Sequence, residues 1–166
     1  MPLLYVPGNH DPSLEPPDMS WMPLRPELPP APGPQGCVNI DGRIVHANGL
    51  RIAGLGGSIR YKAGPNQYSQ AQMRWRALKL ELRMRLGRVR NGRKLDILVT
   101  HAPPTGLAEA VDSAHVGFVA LARLIRNLQP LLAVHGHIHP YARQIPEQRI
   151  RATRVVNVVP SRMIEI

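Results

Sequence analysis

At 166 residues the chain is long enough for one domain with its own hydrophobic core. A single cysteine, Cys37, excludes an internal disulfide and a thiolate zinc cluster, and no run of 18 apolar residues exists to span a bilayer. The net charge of +10, carried by 18 Arg and three Lys, favours phosphate-bearing partners without choosing between small phosphoesters and nucleic acid.

Residues Leu3 to Val6 form a short apolar run that reads as a buried strand, and it runs straight into Gly8-Asn9-His10-Asp11. The start of the chain lacks the basic region of a secretory leader, so a cytoplasmic location is expected. Residues 12–35 read as a proline-rich loop: nine of the 18 prolines fall between Pro12 and Pro34 and remove backbone donors there. Because the loop leaves directly from His10-Asp11, it is either a lid over a site or a plain surface excursion.

The pairs Asp41-Gly42 and Asn48-Gly49 are two-residue hairpin signals. They flank Arg43 to Ala47 and predict a three-stranded antiparallel meander over Val38–Ile40, Arg43–Ala47 and Leu50–Ala53. Gly54, Gly56 and Gly57 then mark a turn where backbone passes closely. Tyr68 to Val89 has helical periodicity, with Met73, Ala77, Leu80 and Met84 inward, Leu78 and Leu82 widening that face, and Arg74, Arg76, Lys79, Arg83, Arg85 and Arg88 on the polar side.

Ile97 to Val99 is a second apolar run, ending at Thr100-His101-Ala102-Pro103-Pro104. A second helix is predicted from Val116 to Leu128, with Phe118, Leu121, Leu124, Ile125 and Leu128 inward. A third apolar run, Leu131 to Val134, ends at His135-Gly136-His137-Ile138-His139. Extended segments at Arg143–Ile145, Thr153–Val159 and Met163–Ile166 are expected to close the sheet as antiparallel strands. His46 and His115 read as structural or surface residues, with pocket lining the alternative for His115, and Cys37 reads as a small buried apolar residue.

Three imidazole-bearing turns at three strand ends point to one shared site, because ligands in open α/β sheets gather at the carboxyl ends of strands. Imidazole nitrogens and a carboxamide oxygen suit zinc, manganese, iron or nickel. Two cations roughly 3.5–4 Å apart clamp a phosphoryl group and activate water for in-line attack. A histidine beside the ligands then protonates the leaving oxygen, and a carboxylate sets its tautomer.

Together, Gly8-Asn9-His10-Asp11, the His101 turn and Gly136-His137-Ile138-His139 resemble the last three motif blocks of calcineurin-like metallophosphoesterases. Gly54-Leu55-Gly56-Gly57-Ser58-Ile59-Arg60-Tyr61, followed by Gly64 to Tyr68, is similar to one bacterial branch of that family. The resemblance implies an α/β fold, a layered β-sandwich flanked by helices, over a partial domain spanning residues 1–166. It implies that Asn9, His101 and His137 bind one divalent metal ion and His139 another, that His10 is the general acid, and that Asp11 stands behind it, with His135 in a supporting position.

The implied reaction is hydrolysis of phosphomonoesters or phosphodiesters by a metal-bound hydroxide. The family's Asp-x-His and Gly-Asp-x-x-Asp blocks do not occur before Gly8, and the five aspartates include no substitute for the bridging carboxylate. The chain therefore reads as lacking its first one or two βα units, with impaired activity, a weak or lost second metal, and self-association through an exposed sheet edge at Leu3–Val6 or its neighbour. The alternative function is a non-catalytic basic module that binds nucleic acid or phosphate ligands through the helix from Arg74 to Lys94. No membrane contact is expected.

Overall fold

The structure is a computed structural model that describes residues 3–11, 34, 36–91, 94–106, 115–139 and 145–166. The elements are β1 (Leu3–Tyr5), β2 (Cys37–Asn39), β3 (Ile44–Ala47), β4 (Leu50–Leu55), β5 (Ser58–Ile59), β6 (Gln67–Tyr68), α1 (Gln70–Asn91), β7 (Ile97–Thr100), α2 (Val119–Leu128), β8 (Leu132–His135), β9 (Gln148–Ile150) and β10 (Thr153–Asn157). Six of the strands form one mixed sheet in the order β3-β4-β7-β8-β10-β9. The inner four, β4, β7, β8 and β10, are parallel, so their carboxyl ends lie along one side. No described helix is long and apolar enough to cross a membrane.

The register explains the core. Ala53, Leu98, Ala133 and Val155 stand side by side across the four parallel strands, and all are buried in one cluster with both helices. Side chains alternate faces along a strand, so Ile52, Leu132 and Val156 point to the opposite face, where they too are buried. There the second layer begins: β1 and β2 pair in parallel as a separate two-stranded sheet. A methyl group on Gly54 would lie 2.7 Å from both Ile40 and Val6, so this glycine lets the two layers touch.

Helix α1 buries Met73, Ala77, Leu80 and Met84, the stripe that the periodicity predicts. The Met73, Leu80 and Met84 side chains each contribute about 1.5–3 kcal/mol on leaving water. Leu82 does not widen that face; it is 59% exposed, because it lies on the far side of the helix from the sheet. In α2, Phe118, Leu121, Leu124 and Ile125 are buried as expected and Leu128 is half-buried. The helix starts at Val119 rather than Val116, because Phe118 is extended and bridges to the 103–105 backbone: its N–H donates to the Pro103 carbonyl at 3.0 Å.

The meander is replaced by one hairpin. Asn48-Gly49 turns β3 into β4 with positive φ at both residues (49° and 79°), the geometry that two-residue hairpins need. At Asp41-Gly42 only Gly42 has positive φ, and the Arg43 N–H returns to the Ile40 carbonyl at 3.0 Å. Such a turn does not match strand twist, and β2 leaves to pair with β1. The edge expected at Leu3–Val6 therefore belongs to the small sheet, and the main sheet ends at β3 and β9.

At the other end, β10 is antiparallel only to β9 and runs parallel to β8. Residues 163–166 form no strand, and residue 145 precedes β9 outside any strand. Residues 140–144 and most of the proline-rich stretch lie outside the described residues.

Arg76 is the second departure on α1. It is not on the solvent face: its guanidinium meets the Asp41 carboxylate at 2.6 Å, donates to the Gly56 carbonyl at 2.9 Å and stacks 4.1 Å from the Tyr68 ring centre. Asp41 in turn accepts the Gly56 N–H at 2.6 Å. Replacing Arg76→Ala leaves a carboxylate whose side chain is only 19% exposed. A stability loss of about 3 kcal/mol is expected in urea unfolding. A loss below about 1 kcal/mol, the range of exposed pairs, would mean that solvent already serves Asp41.

Candidate metal centre

The three histidine turns do meet. Residues 7–11 follow β1, His101 follows β7, and Gly136-His137 follows β8, all at carboxyl ends. Gly8 lies directly beneath the His101 ring: an added methyl group would sit 2.6 Å from its Cε1, so only glycine permits the approach. The Gly136 N–H donates to the His101 carbonyl at 3.1 Å and ties the second turn to the third.

The contact atoms are chemically specific. His101 Nε2 lies 2.9 Å from Asn9 Oδ1 and 3.1 Å from His137 Nδ1. Asn9 is buried, and the His101 and His137 rings are half-buried, 4.8 Å apart between centres. Burial pushes the pKa of His101 down to about 4, assisted by the neighbouring His137, His10 and His139, while Asp11 pulls the other way. The His101 ring is therefore neutral at pH 7, the form that binds a metal.

His137 carries backbone strain. Its φ is +66°, and the Ile138 N–H donates to the Gly136 carbonyl at 2.8 Å across it, a γ-turn of the rare positive-φ kind. Such a conformation in a β-unbranched residue costs on the order of 1–3 kcal/mol and concentrates at functional sites. Asn157 helps to hold it by donating to the Ile138 carbonyl at 2.9 Å.

The remaining residues of interest sit around this trio. His10 and Asp11 are exposed; the Asp11 carboxylate accepts the Gly8 N–H at 2.6 Å and the Asp11 N–H donates back to the Gly8 carbonyl at 3.2 Å. The carboxylate therefore closes the turn that carries Asn9 and His10. His139 is exposed and enters through its field at His101 rather than through a contact within the trio. His135 ends β8 as a buried strand residue, with its Nδ1 3.2 Å from the Gly136 carbonyl oxygen.

Three residues outside the motif blocks border the site. The His115 ring stands 5.2 Å from that of His137, which places it at the pocket rather than at a remote surface. The Asn9 amide donates to the Tyr61 hydroxyl at 3.2 Å, and the Asn66 amide donates to the Gly8 and Asp11 carbonyls at 3.0 and 3.2 Å. His115 had a sequence signal as possible pocket lining, and Tyr61 and Asn66 fall in the stretch that is similar to one bacterial branch of the family, which assigned them no role. Tyr61 and Asn66 lie more than fifty residues from their partners, beyond any local pattern.

Two imidazole nitrogens and a carboxamide oxygen within hydrogen-bond distance suit a divalent cation of the zinc-to-manganese type. The set is partial: among the described residues, no three His, Cys, Asp or Glu side chains converge as a complete metal shell.

Comparison with known proteins gives a family and a fold. A family model described as calcineurin-like phosphoesterase matches residues 1–141. No curated protein matches the sequence. One solved crystal structure is similar over 74% of this chain and 46% of its own, at 19% identity and a TM-score of 0.51. The crystal structure of TT1561 of Thermus thermophilus is similar over 72% of this chain and 48% of its own, at 20% identity and a TM-score of 0.47. The chain thus spans about half the length of these structures.

Proposed function

Since the chain belongs to the calcineurin-like phosphoesterase family, we propose that it hydrolyses a phosphoester with a divalent cation held by Asn9, His101 and His137. The observation that carries this reading is the convergence of Asn9 Oδ1, His101 Nε2 and His137 Nδ1 within 2.9 and 3.1 Å at the carboxyl ends of three strands. A bound divalent cation supplies Lewis-acid activation of water and offsets charge on the phosphoryl oxygens.

The protein's own groups divide the rest of the work. His101 stays neutral because it is buried, so its lone pair is available at pH 7. His137 is held in a strained turn that faces its Nδ1 toward His101. His10 is exposed on the rim and is free to give a proton to a leaving oxygen. Asp11, locked to the Gly8 N–H, keeps His10 and Asn9 on one turn. His139, exposed two residues beyond His137, would be a donor for a second ion, toward which the described residues offer no complete shell. The exposed arginines of α1, among them Arg74, Arg83 and Arg85, favour an anionic substrate.

The test is hydrolysis of a nitrophenyl phosphodiester and the matching monoester after loading with manganese or zinc. Turnover that requires the added cation and disappears with a chelator is expected. Absence of cation-dependent turnover on either ester overturns the reading.

A further inference from the structure

We infer that Tyr61, outside the three histidine-bearing blocks, is a positioning residue that decides which end of the Asn9 side chain faces the cation. The inference rests on the proposed metal site. A carboxamide has two opposite ends, an oxygen that accepts and a nitrogen that donates. Only the oxygen can bind a cation. With Oδ1 turned to His101 at 2.9 Å, the Asn9 NH2 points the other way, where it donates to the Tyr61 hydroxyl at 3.2 Å.

Asn9 is 6% exposed, so that nitrogen has little access to water. Without the hydroxyl, the cation-binding orientation strands a buried donor, a penalty on the order of 1–3 kcal/mol. The flipped orientation avoids the penalty but presents nitrogen to the cation. Tyr61 therefore acts on the metal through Asn9.

The surrounding loop holds the hydroxyl in place. Gln67, 4% exposed, accepts the Tyr61 and Lys62 N–H groups with its side-chain oxygen at 3.2 and 3.3 Å. Asn66, with φ +50°, donates to both ends of the Gly8–Asp11 turn. Its carbonyl accepts the Ser58 N–H at 2.9 Å, so β5 and β6 brace it. One clamp, built on the parallel β5–β6 pair and the loop between them, thus grips the backbone of the Gly8–Asp11 turn and the amide of Asn9 together.

The experiment is calorimetric titration of the metal-free protein with manganese, for the wild type, Tyr61→Phe, Asn9→Asp and the double variant. Tyr61→Phe keeps the ring, which is 36% exposed, and metal-free thermal unfolding is expected to stay unchanged. Its manganese affinity is expected to fall about 10-fold or more, the range for groups that orient a ligand. In the Asn9→Asp background both ends of the side chain are oxygen, and Tyr61→Phe is expected to change affinity less than about twofold.

Wild-type affinity in Tyr61→Phe overturns the inference and leaves the metal reading standing. An equal loss in both backgrounds also overturns it, because it shows an effect that does not pass through the amide. A wild-type chain that binds no manganese overturns both.

Discussion

His101→Ala is expected to lower manganese affinity by more than about 100-fold, beyond the limit for side chains that only support a ligand. His101 Nε2 is the atom that both Asn9 Oδ1 and His137 Nδ1 face, so its removal separates the other two donors. Its neutral state at pH 7 comes from burial, which pushes its pKa down to about 4. His10→Ala is expected to behave differently. The exposed His10 ring contributes to no contact within the trio, so cation affinity should hold. Turnover should fall about 100-fold or more, as for loss of a general acid.

Calorimetric titration and steady-state kinetics on the same preparations separate the two. If His101→Ala binds manganese as the wild type does, the assigned donor set is wrong. If His10→Ala turns over normally, another group delivers the proton, and His115, 5.2 Å from His137, is the next to examine.

The second large effect is on stability. Gly57→Ala is expected to cost about 2–5 kcal/mol in urea unfolding, from two additive causes. The residue has φ +88°, which costs an L-residue roughly 1–2 kcal/mol. A methyl group there would also lie 2.6 Å from the Asn66 carbonyl oxygen and against the Tyr68 ring, adding overpacking of about 1–3 kcal/mol. Gly106 supplies an internal control. It has the same φ of +88° but, among the described residues, nothing within 4 Å of the added methyl. Gly106→Ala should therefore cost only the backbone share, about 1–2 kcal/mol. Equal losses at both positions would refute the close packing of the clamp around Gly57. The expected excess has a functional side, since the Gly57 N–H donates to the Pro7 carbonyl at 2.8 Å, one residue before Gly8.

Local patterns in the chain were enough for much of the scaffold. The apolar runs before Gly8, His101 and His135 each became a parallel strand, and the Asn48-Gly49 pair made the one hairpin of that region. The spacing of Met73, Ala77, Leu80 and Met84 marked the buried face of α1. These features follow from side-chain period and turn stereochemistry, which act over two to four residues. The histidine turns were legible as a single site for a related reason: parallel strands place their carboxyl ends together, whatever the details of packing.

Tertiary structure alone decided the partners. Nothing near Asp41 announces that it binds Arg76, 35 positions away, and the same arginine reads as solvated by period. Val38 to Ile40 looks ready to continue a meander, yet β2 pairs with β1 across the proline-rich stretch. The strand at Thr153 is parallel to β8 because that pairing buries Val155 beside Ala133. Tyr61 reaches Asn9 only once β5, β6 and the Gly8–Asp11 turn are packed together. In each case the deciding energy is burial or a hydrogen bond between distant segments, and such terms leave no mark on the residues next door.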